Sequence, residues 1–152
     1  MPKRPSLAYA LYLLGRRGRT TRELRDKLAE KKYEPEEIAE TIRRLSEMGL
    51  LDDATFAENY ARDKVAIYRR GRYRIGLDLL RKGVAKEDID SALATIEDDD
   101  EMAAAHSLAV ARLKNWDALE PLKRRARLLS LLQRRGFSAK VVRTVVEKLL
   151  VK

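Results

Sequence analysis

The sequence predicts an all-α protein made of three tandem three-helix repeats. Three segments align without a gap when Tyr33, Val84 and Phe137 are superposed, at spacings of 51 and 53 residues. The aligned segments are residues 24–45, 75–96 and 128–149. Such spacings are close to the periods of helical solenoid repeats. No sustained alternation of apolar and polar residues indicates a strand, and only four prolines interrupt the chain.

The apolar residues of each segment follow the 3.6-residue period of an α-helix. In the first repeat, Leu28 lies five residues before Tyr33, and Ile38, Ile42 and Leu45 follow it. The equivalent residues are Leu79, Ile89, Leu93 and Ile96 in the second repeat and Leu132, Val142, Val146 and Leu149 in the third. One repeated apolar skeleton therefore predicts three similar cores.

Start and stop signals divide each repeat into three helices. Thr20 and Glu23 form a capping-box pattern, Pro35 suits the first turn of a helix, and Gly49 suits its end. An Asp at 52 or 53 can cap the next helix. We expect helices near residues 6–15, 21–31, 35–48, 53–69, 72–82, 86–96, 101–114, 118–134 and 139–150.

The repeats are predicted to span residues 1–52, 53–98 and 99–152, and to form an elongated, curved solenoid. Gly83 and Gly136 mark equivalent turns, where we expect positive φ angles; Lys32 occupies this position in the first repeat. Each three-helix unit is small for independent stability, so we expect adjacent repeats to share a core.

Charge is distributed unevenly along the chain. The net charge is +9, and residues 102–152 supply all of it, with 12 Lys/Arg against 3 Asp/Glu. Basic bands at residues 1–25 and 69–82 alternate with acidic bands at residues 26–68 and 83–101. This banding favours a polyanionic partner over nonspecific basic coating.

Several classes of protein are excluded or disfavoured. The chain has no cysteine, so it has no disulfide and no cysteine-ligated metal. It contains neither a P-loop nor a dinucleotide-binding glycine motif, no membrane span and no secretory signal. His106 is the only histidine, and we interpret it as a helix residue rather than a base. We expect a soluble, cytoplasmic, monomeric protein that is not an enzyme and needs no cofactor or metal.

An acidic run and a lone tryptophan have structural and functional interpretations. Residues 98–101 are all acidic, which suits a repeat junction and the N-terminus of a helix. A metal site is the alternative, but consecutive carboxylates on a helix cannot all face one ion. Trp116 precedes the last long basic helix and is expected to anchor that loop or to contact a partner.

Three segments closely resemble the RecX family of bacterial RecA modulators. They are ALYLLGRRGRTTRELRDKL, GLLDDATFAENYARDK and GRYRIGLDLLRKGV, and RRGF of the third repeat also matches. The resemblance covers roughly residues 7–150. It implies tandem three-helix repeats that bind in the groove of the RecA–DNA filament and restrain the recombinase. DNA, single-stranded and also double-stranded, is an implied partner. Lys32 departs from the glycine usual in the family, and Asp78 stands where glutamate is common.

Arginine-rich clusters are the candidate DNA- or filament-binding residues. They are Arg16, Arg17, Arg19, Arg69, Arg70, Arg72, Arg74, Lys82, Lys123, Arg124, Arg125, Arg127, Arg134 and Arg135. Arginine outnumbers lysine in them, and its planar fork suits phosphate or carboxylate partners. A solvated charged face is the alternative interpretation. Tyr68 and Tyr73 interleave with the middle cluster and could stack on bases.

Asp52, Asp53 and Phe56 belong to a segment characteristic of the family, and we expect them to be structural. Adjacent carboxylates at the start of a helix are better explained as a cap and an ion-pair partner than as a catalytic pair.

We predict a non-enzymatic regulator of recombination and DNA repair, with two alternatives. A helix-turn-helix transcription regulator would place the last helix of a repeat in the major groove, where only the helix with Lys140 and Arg143 suits entry. A helical protein–protein adaptor would have no DNA role.

Overall fold

The computed structural model describes residues 4–150, which form nine α-helices, one short 3-10 helix and no strand. The helices are α1 Ser6–Arg16, α2 Thr21–Glu30, α3 Pro35–Glu47, α4 Asp53–Ala66, α5 Arg72–Arg81, α6 Lys86–Ala94, α7 Asp98–Leu113, α8 Pro121–Arg134 and α9 Ala139–Leu150. The 3-10 helix Lys114–Trp116 follows α7. Module 1 comprises α1–α3, module 2 comprises α4–α6 and module 3 comprises α7–α9.

The structure contains the predicted helix-capping interactions and turn conformations. The Thr20 hydroxyl accepts the Glu23 amide at 3.2 Å, and the Glu23 carboxylate accepts the Thr20 amide at 3.1 Å, which completes the capping box. Pro35 is the first residue of α3. Gly83 and Gly136 have φ angles of +86° and +87°, as expected.

Helix ends differ from the predicted bounds by three residues in three places, and by two residues or fewer elsewhere. α4 ends at Ala66 because the chain turns sharply before α5, where Arg69 has a φ of +52°. α7 begins earlier than expected, at Asp98. α8 begins at Pro121 rather than near 118, because a proline disfavours helical backbone in the residue before it; Glu120 is accordingly non-helical, with a ψ of 147°.

The modules do not all share a core. Modules 2 and 3 bury one continuous apolar cluster, in which α4 packs against α7. Small residues of both helices, Ala57 and Ala61 of α4 and Ala104 and Ala105 of α7, are buried in this common core and suit close helix packing. Module 1 buries a separate cluster. The expectation of shared cores is therefore confirmed for modules 2 and 3 and wrong for module 1.

Module 1 meets module 2 through polar contacts at helix ends. The Thr20 hydroxyl, at the N-terminus of α2, donates to the Lys82 carbonyl oxygen at the C-terminus of α5, 2.7 Å away. The Arg22 guanidinium donates to the Arg81 carbonyl oxygen at 2.9 Å. Contacts of this kind bury little apolar area, which explains why the two cores remain separate.

The junction between modules 2 and 3 repeats this geometry. The Gly71 amide, at the N-terminus of α5, donates to the Arg135 carbonyl oxygen at the C-terminus of α8, 2.8 Å away. The Tyr73 amide donates to the Gly136 carbonyl oxygen at 3.1 Å. The second helices of the modules thus meet end to end, in the order α8, α5, α2. Each contact places the positive end of one helix dipole at the negative end of the next.

The molecule is extended. Its accessible surface is 9809 Å², whereas a compact monomer of 17.5 kDa is expected to expose roughly 7,900 Å². The larger surface agrees with the predicted elongated repeat structure. No helix within residues 4–150 has the length and apolar character needed to cross a membrane.

A candidate polyanion-binding surface

Five arginines converge where α5 meets α8. Burial and then the neighbouring Arg112, Arg70, Arg74 and Arg134 lower the pKa of Arg135, so each of these four guanidinium groups lies close enough to repel that of Arg135. The residues come from the α4–α5 loop, α5, α7 and the C-terminus of α8. We name them the arginine cluster. The end-to-end junction of modules 2 and 3 therefore joins two basic bands that are distant in sequence.

One carboxylate lies within the arginine cluster. Asp78 accepts from Arg70 at 2.9 Å and from Arg74 at 3.2 Å, and the Tyr60 hydroxyl donates to it at 3.4 Å. These contacts orient two of the five guanidinium groups and neutralise only one charge. The cluster keeps a net charge of about +4 and a partly fixed geometry, which suits it to an anionic ligand.

Arg135 also holds the junction itself. Its guanidinium donates to the Tyr68 carbonyl oxygen at 3.1 Å, while its own carbonyl oxygen accepts from the Gly71 amide. A methyl group on Gly71 would lie 2.4 Å from the Gly136 carbonyl oxygen, so the backbones are in direct contact. This contact positions the arginine cluster with little freedom between the modules.

Arg72, which belongs to the predicted binding set, is committed to contacts within the chain. Its guanidinium lies 2.9 Å from Asp98 and 3.5 Å from Glu101, and it donates to the Ile96 carbonyl oxygen. The Arg72 amide also donates to Glu101, whose side chain is 1% exposed. Arg72 and Glu101 therefore join α5 to α7. No pattern in the sequence indicates that one carboxylate of the acidic run is buried.

The basic cluster of module 1 lies at and after the C-terminus of α1. Arg16 is exposed and donates to the Tyr12 hydroxyl at 2.9 Å, and Arg17 lies 3.5 Å from Glu23. Burial and then Arg17 lower the pKa of Arg19, which donates to the Leu13 carbonyl oxygen at 3.4 Å. Arg16 and Arg17 thus present charge to solvent, while Arg19 supports the loop.

Lys64, which is not in the predicted binding set, lies between the basic residues of module 1 and the arginine cluster. The Lys64 ammonium lies 3.8 Å from the ring centre of Tyr68 and 5.0 Å from that of Tyr60. Burial and then Arg70 lower the pKa of Lys64. Lys82 lies 5.6 Å from the Tyr60 ring and 3.4 Å from Glu23. Lys64 and Lys82 therefore place two further cations between module 1 and the arginine cluster.

The start of α8 carries exposed and internal cations. Lys123, Arg125 and Arg127 are exposed, and the Arg127 guanidinium lies 5.6 Å from the Trp116 ring. Arg124 donates to the carbonyl oxygens of Asp117 and Leu119 at 3.2 and 3.0 Å, and so holds the preceding turn. Trp116 packs against the core of modules 2 and 3, which places it in the anchoring position.

The Asp52–Phe56 segment is occupied with structural contacts. Asp52 caps α4 by accepting the Thr55 amide at 3.2 Å, and this bond is the main cause of its lowered pKa. Asp53 accepts the Thr21 amide at 2.8 Å, which ties module 1 to α4. Phe56 stacks on Tyr60 with ring centres 5.8 Å apart. Within residues 4–150, no group of three or more acidic or histidine side chains could hold a metal ion.

Comparison with known proteins identifies all three modules. Residues 7–45 match the family model of the first three-helix domain of RecX, residues 52–93 the second and residues 98–146 the third. The chain is 38% identical over 143 residues to the regulatory protein RecX of Mycobacterium sp. (strain JLS), covering 91% of this chain and 78% of that protein. It is 40% identical over 136 residues to the RecX of Halorhodospira halophila, covering 88% and 81%.

The fold comparison agrees. The crystal structure of RecX from Lactobacillus salivarius superposes with a TM-score of 0.84 at 25% identity, covering 95% of this chain and 94% of that one. With every module matched in order, this chain belongs to the RecX family of regulatory proteins.

Proposed function

We propose that this protein is a non-enzymatic regulator of a RecA recombinase, acting in recombination and DNA repair. It binds in the groove of the RecA–DNA filament, and it lowers filament growth, ATP hydrolysis, strand exchange and coprotease action. The arginine cluster at the junction of modules 2 and 3 is the observation that carries the proposal. A regulatory family identity supports the role, and the concentration of guanidinium groups supports an anionic partner.

The arginine cluster is the strongest anion site in this proposal. Arg112 and Arg134 take no part in a described ion pair with a carboxylate, whereas Arg70 and Arg74 share Asp78. A DNA phosphate or an acidic filament side chain can therefore bind Arg112 and Arg134 without breaking an existing ion pair. Arg135 contributes charge while it holds the junction.

The other exposed cations extend this surface. Arg16 and Arg17 of module 1, and Lys123, Arg125 and Arg127 of α8, are exposed and make further contacts with phosphate or acidic filament surface. Arg69, in the α4–α5 loop, and Lys82, at the end of α5, add further charge. The remaining predicted residues bind within the chain and hold the segments that carry the other cations. They are Arg19, Arg72 and Arg124.

Acidic helices supply contacts of the opposite sign. α3 and α6 begin with Glu36 and Glu37, and with Glu87 and Asp88, in their first turns. These carboxylates meet basic residues of the recombinase. Because binding across successive filament subunits is multivalent, each later contact forms within an existing complex and gains affinity.

The remaining properties follow from this role. The protein works as a cytoplasmic monomer without a cofactor, and it binds single-stranded and also double-stranded DNA through the same cations. Phosphate contacts of this kind carry little sequence preference.

The test is a titration of the purified protein into a RecA ATPase assay on single-stranded DNA, with a parallel titration into DNA alone. We expect loss of ATPase at a substoichiometric ratio of this protein to RecA. The double variant Arg112→Gln/Arg134→Gln should need a several-fold higher concentration. No inhibition by the wild-type protein at any ratio would overturn the proposal.

Lys140→Gln/Arg143→Gln is the matched control. It removes the same charge from two exposed side chains of α9 and should inhibit like the wild type. If this variant instead loses binding to one preferred duplex sequence, the transcription-regulator alternative gains support. If no variant and no wild-type sample binds DNA or filament, the adaptor alternative remains.

A further inference from the structure

An exposed apolar stripe runs along α5 and is unrelated to the basic surface. Tyr73, Leu77 and Leu80 are 72%, 41% and 57% exposed. Their spacings of four and three residues place them on one face of the helix, over about 10 Å of its axis. Large side chains are seldom left this exposed in a continuous row unless a partner covers them.

The stripe borders a groove between α5 and α6. The groove encloses about 550 Å³, and Ile89 and Leu93 of α6 line its other side. Gly76 forms part of its wall, where an added methyl group would lie 3.3 Å from Leu93 Cδ1. A larger residue at position 76 would crowd the groove, and the absence of a side chain at Gly76 leaves that space open.

The other two modules show that the fold does not require this stripe. The residues equivalent to Tyr73, Leu77 and Leu80 are Arg22, Asp26 and Ala29 in module 1, and Ala126, Ser130 and Gln133 in module 3. All three modules form the same helices with the same buried skeleton. Exposed apolar side chains at these positions are therefore a property of module 2 alone, as expected for a binding surface and not for a core.

The charged residues around the groove indicate the chemistry of the occupant. Among the described residues that line it, Glu101 is the one carboxylate, and it is buried and bonded to Arg72. Arg72 and Lys86 are the cations that line the groove, and Lys86 has no described ion pair with a carboxylate. The edge of the groove is therefore cationic around an apolar centre.

A second copy of this chain is a poor occupant. Leu122, the most exposed large apolar side chain within residues 4–150, is followed directly by Lys123, Arg124 and Arg125, which would meet the cationic edge of the groove. The net charge of +9 adds to this repulsion.

We propose that the α5–α6 groove binds an amphipathic helix of the recombinase that is apolar along one face and acidic along its border. Apolar residues at positions i, i+3 or i+4, and i+7 of such a helix match the length of the stripe. This inference rests on the proposed function, and it separates protein contact through the groove from anion contact through the arginine cluster.

The test replaces the stripe with the residues of module 3, in the variant Tyr73→Ala/Leu77→Ser/Leu80→Gln. These residues already occupy the equivalent helix, so the fold should be retained, as circular dichroism and thermal unfolding would verify. Fluorescence anisotropy of labelled protein measures binding to RecA–DNA filaments and to DNA alone. We expect at least tenfold weaker filament binding. Unchanged DNA binding is expected of the double variant Leu77→Ser/Leu80→Gln, which keeps Tyr73.

Lys86→Glu tests the sign of the occupant's charge. Lys86 is the first residue of α6, where a carboxylate favours the helix dipole, so the substitution should not destabilise the fold. We expect several-fold weaker filament binding. Stronger binding would mean a basic occupant and would overturn the inference.

The outcomes distinguish the two proposals. Wild-type protein that fails to bind filaments overturns the proposed function and this inference together. Wild-type binding that the stripe variant fully retains overturns this inference alone. A photo-crosslinker placed at Leu80 should attach to a RecA peptide with acidic and apolar residues; attachment to DNA would contradict the groove assignment.

Discussion

The Thr20 side chain is shared between two modules. Its hydroxyl accepts the Glu23 amide within α2 and donates to the Lys82 carbonyl oxygen of α5, 2.7 Å away. A single hydroxyl therefore satisfies an orphan donor at the start of one helix and an orphan acceptor at the end of another. The stability of module 1 and its attachment to module 2 depend on the same side chain.

Thr20→Val should loosen module 1 selectively. The substitution preserves side-chain shape but removes both hydrogen bonds at a buried position, at an expected cost of about 2 kcal/mol. Hydrogen exchange should accelerate in α1–α3 and change little in α4–α9, because module 1 has its own core. Thr144→Val, which removes an exposed bond to the Lys140 carbonyl oxygen, is the control and should change neither region. Uniform acceleration after Thr20→Val would contradict separate cores.

Gly71→Ala should disrupt the junction of modules 2 and 3. Its φ of −88° suits alanine, so the expected cost of about 2–3 kcal/mol comes from the clash with Gly136. Gly15→Ala is the control. That glycine lies in α1 with no atom near the added methyl group, and the change should stabilise the protein by about 0.5–1 kcal/mol. Urea unfolding of both variants tests this contrast.

Glu101→Gln should be costly although it conserves size. The buried carboxylate bonds the Arg72 amide and guanidinium, and the neutral amide would leave that arginine poorly compensated, at about 2–3 kcal/mol. Asp98→Asn removes the other carboxylate partner of Arg72, but Asp98 is 90% exposed. That control should cost less than about 0.5 kcal/mol in the same unfolding experiment. Equal losses would mean that burial of Glu101 is unimportant.

Acid should weaken the attachment of module 1 through Glu23. Burial raises the pKa of Glu23, but the Thr20 amide, Lys82 and Arg17 together outweigh it and hold the pKa below its ordinary value of 4.5. A depressed pKa means that the carboxylate stabilises the fold fully above pH 4.5 and that this contribution is lost as pH falls through the folded-state pKa.

Glu23→Gln isolates this effect, because glutamine can still complete the capping box while it carries no charge. Unfolding measured from pH 7 down to about pH 3 should show a smaller loss of stability for the variant than for the wild type. Parallel pH profiles would show that other carboxylates control the acid response.

Removing two guanidinium groups from the arginine cluster should change the salt dependence of DNA binding. If Arg112 and Arg134 each neutralise one phosphate, their replacement by glutamine should reduce the log–log salt slope by roughly 1.4–1.8. Lys140→Gln/Arg143→Gln changes the net charge equally and should leave the slope unaltered. Titrations at several salt concentrations measure both slopes, and equal reductions would indicate general charge attraction instead of a defined site.

The sequence predicted the repeated skeleton because burial there depends on local period alone. Leu28, Leu79 and Leu132 occupy one aligned position, and all three are buried. Helix ends were also predictable where a side chain sets them, as at Thr20. The end of α4 was missed because Arg69 adopts a positive φ without any glycine or proline to mark the turn.

Contacts between modules were beyond sequence reasoning. The run at residues 98–101 has four similar carboxylates, and only the fold shows that Glu101 is buried and bonded to Arg72 of α5. Arg72 and Arg74 lie two residues apart in one basic band. Arg72 forms an ion pair with the buried Glu101, whereas Arg74 belongs to the arginine cluster. Arg112 was missed because it is isolated in sequence and gains its neighbours only through the fold.

The turn that follows each second helix determines whether another helix can pack end to end against it. Gly83 and Gly136 lie where an incoming helix presses on the turn, and a methyl group there would lie 2.6 Å from Arg22 or 2.2 Å from Arg74. Lys32, at the equivalent turn of module 1, is exposed and carries a long side chain in a left-handed conformation. A further module could not dock there as the others do. The end-to-end row of second helices therefore ends at module 1, at the turn that Lys32 occupies.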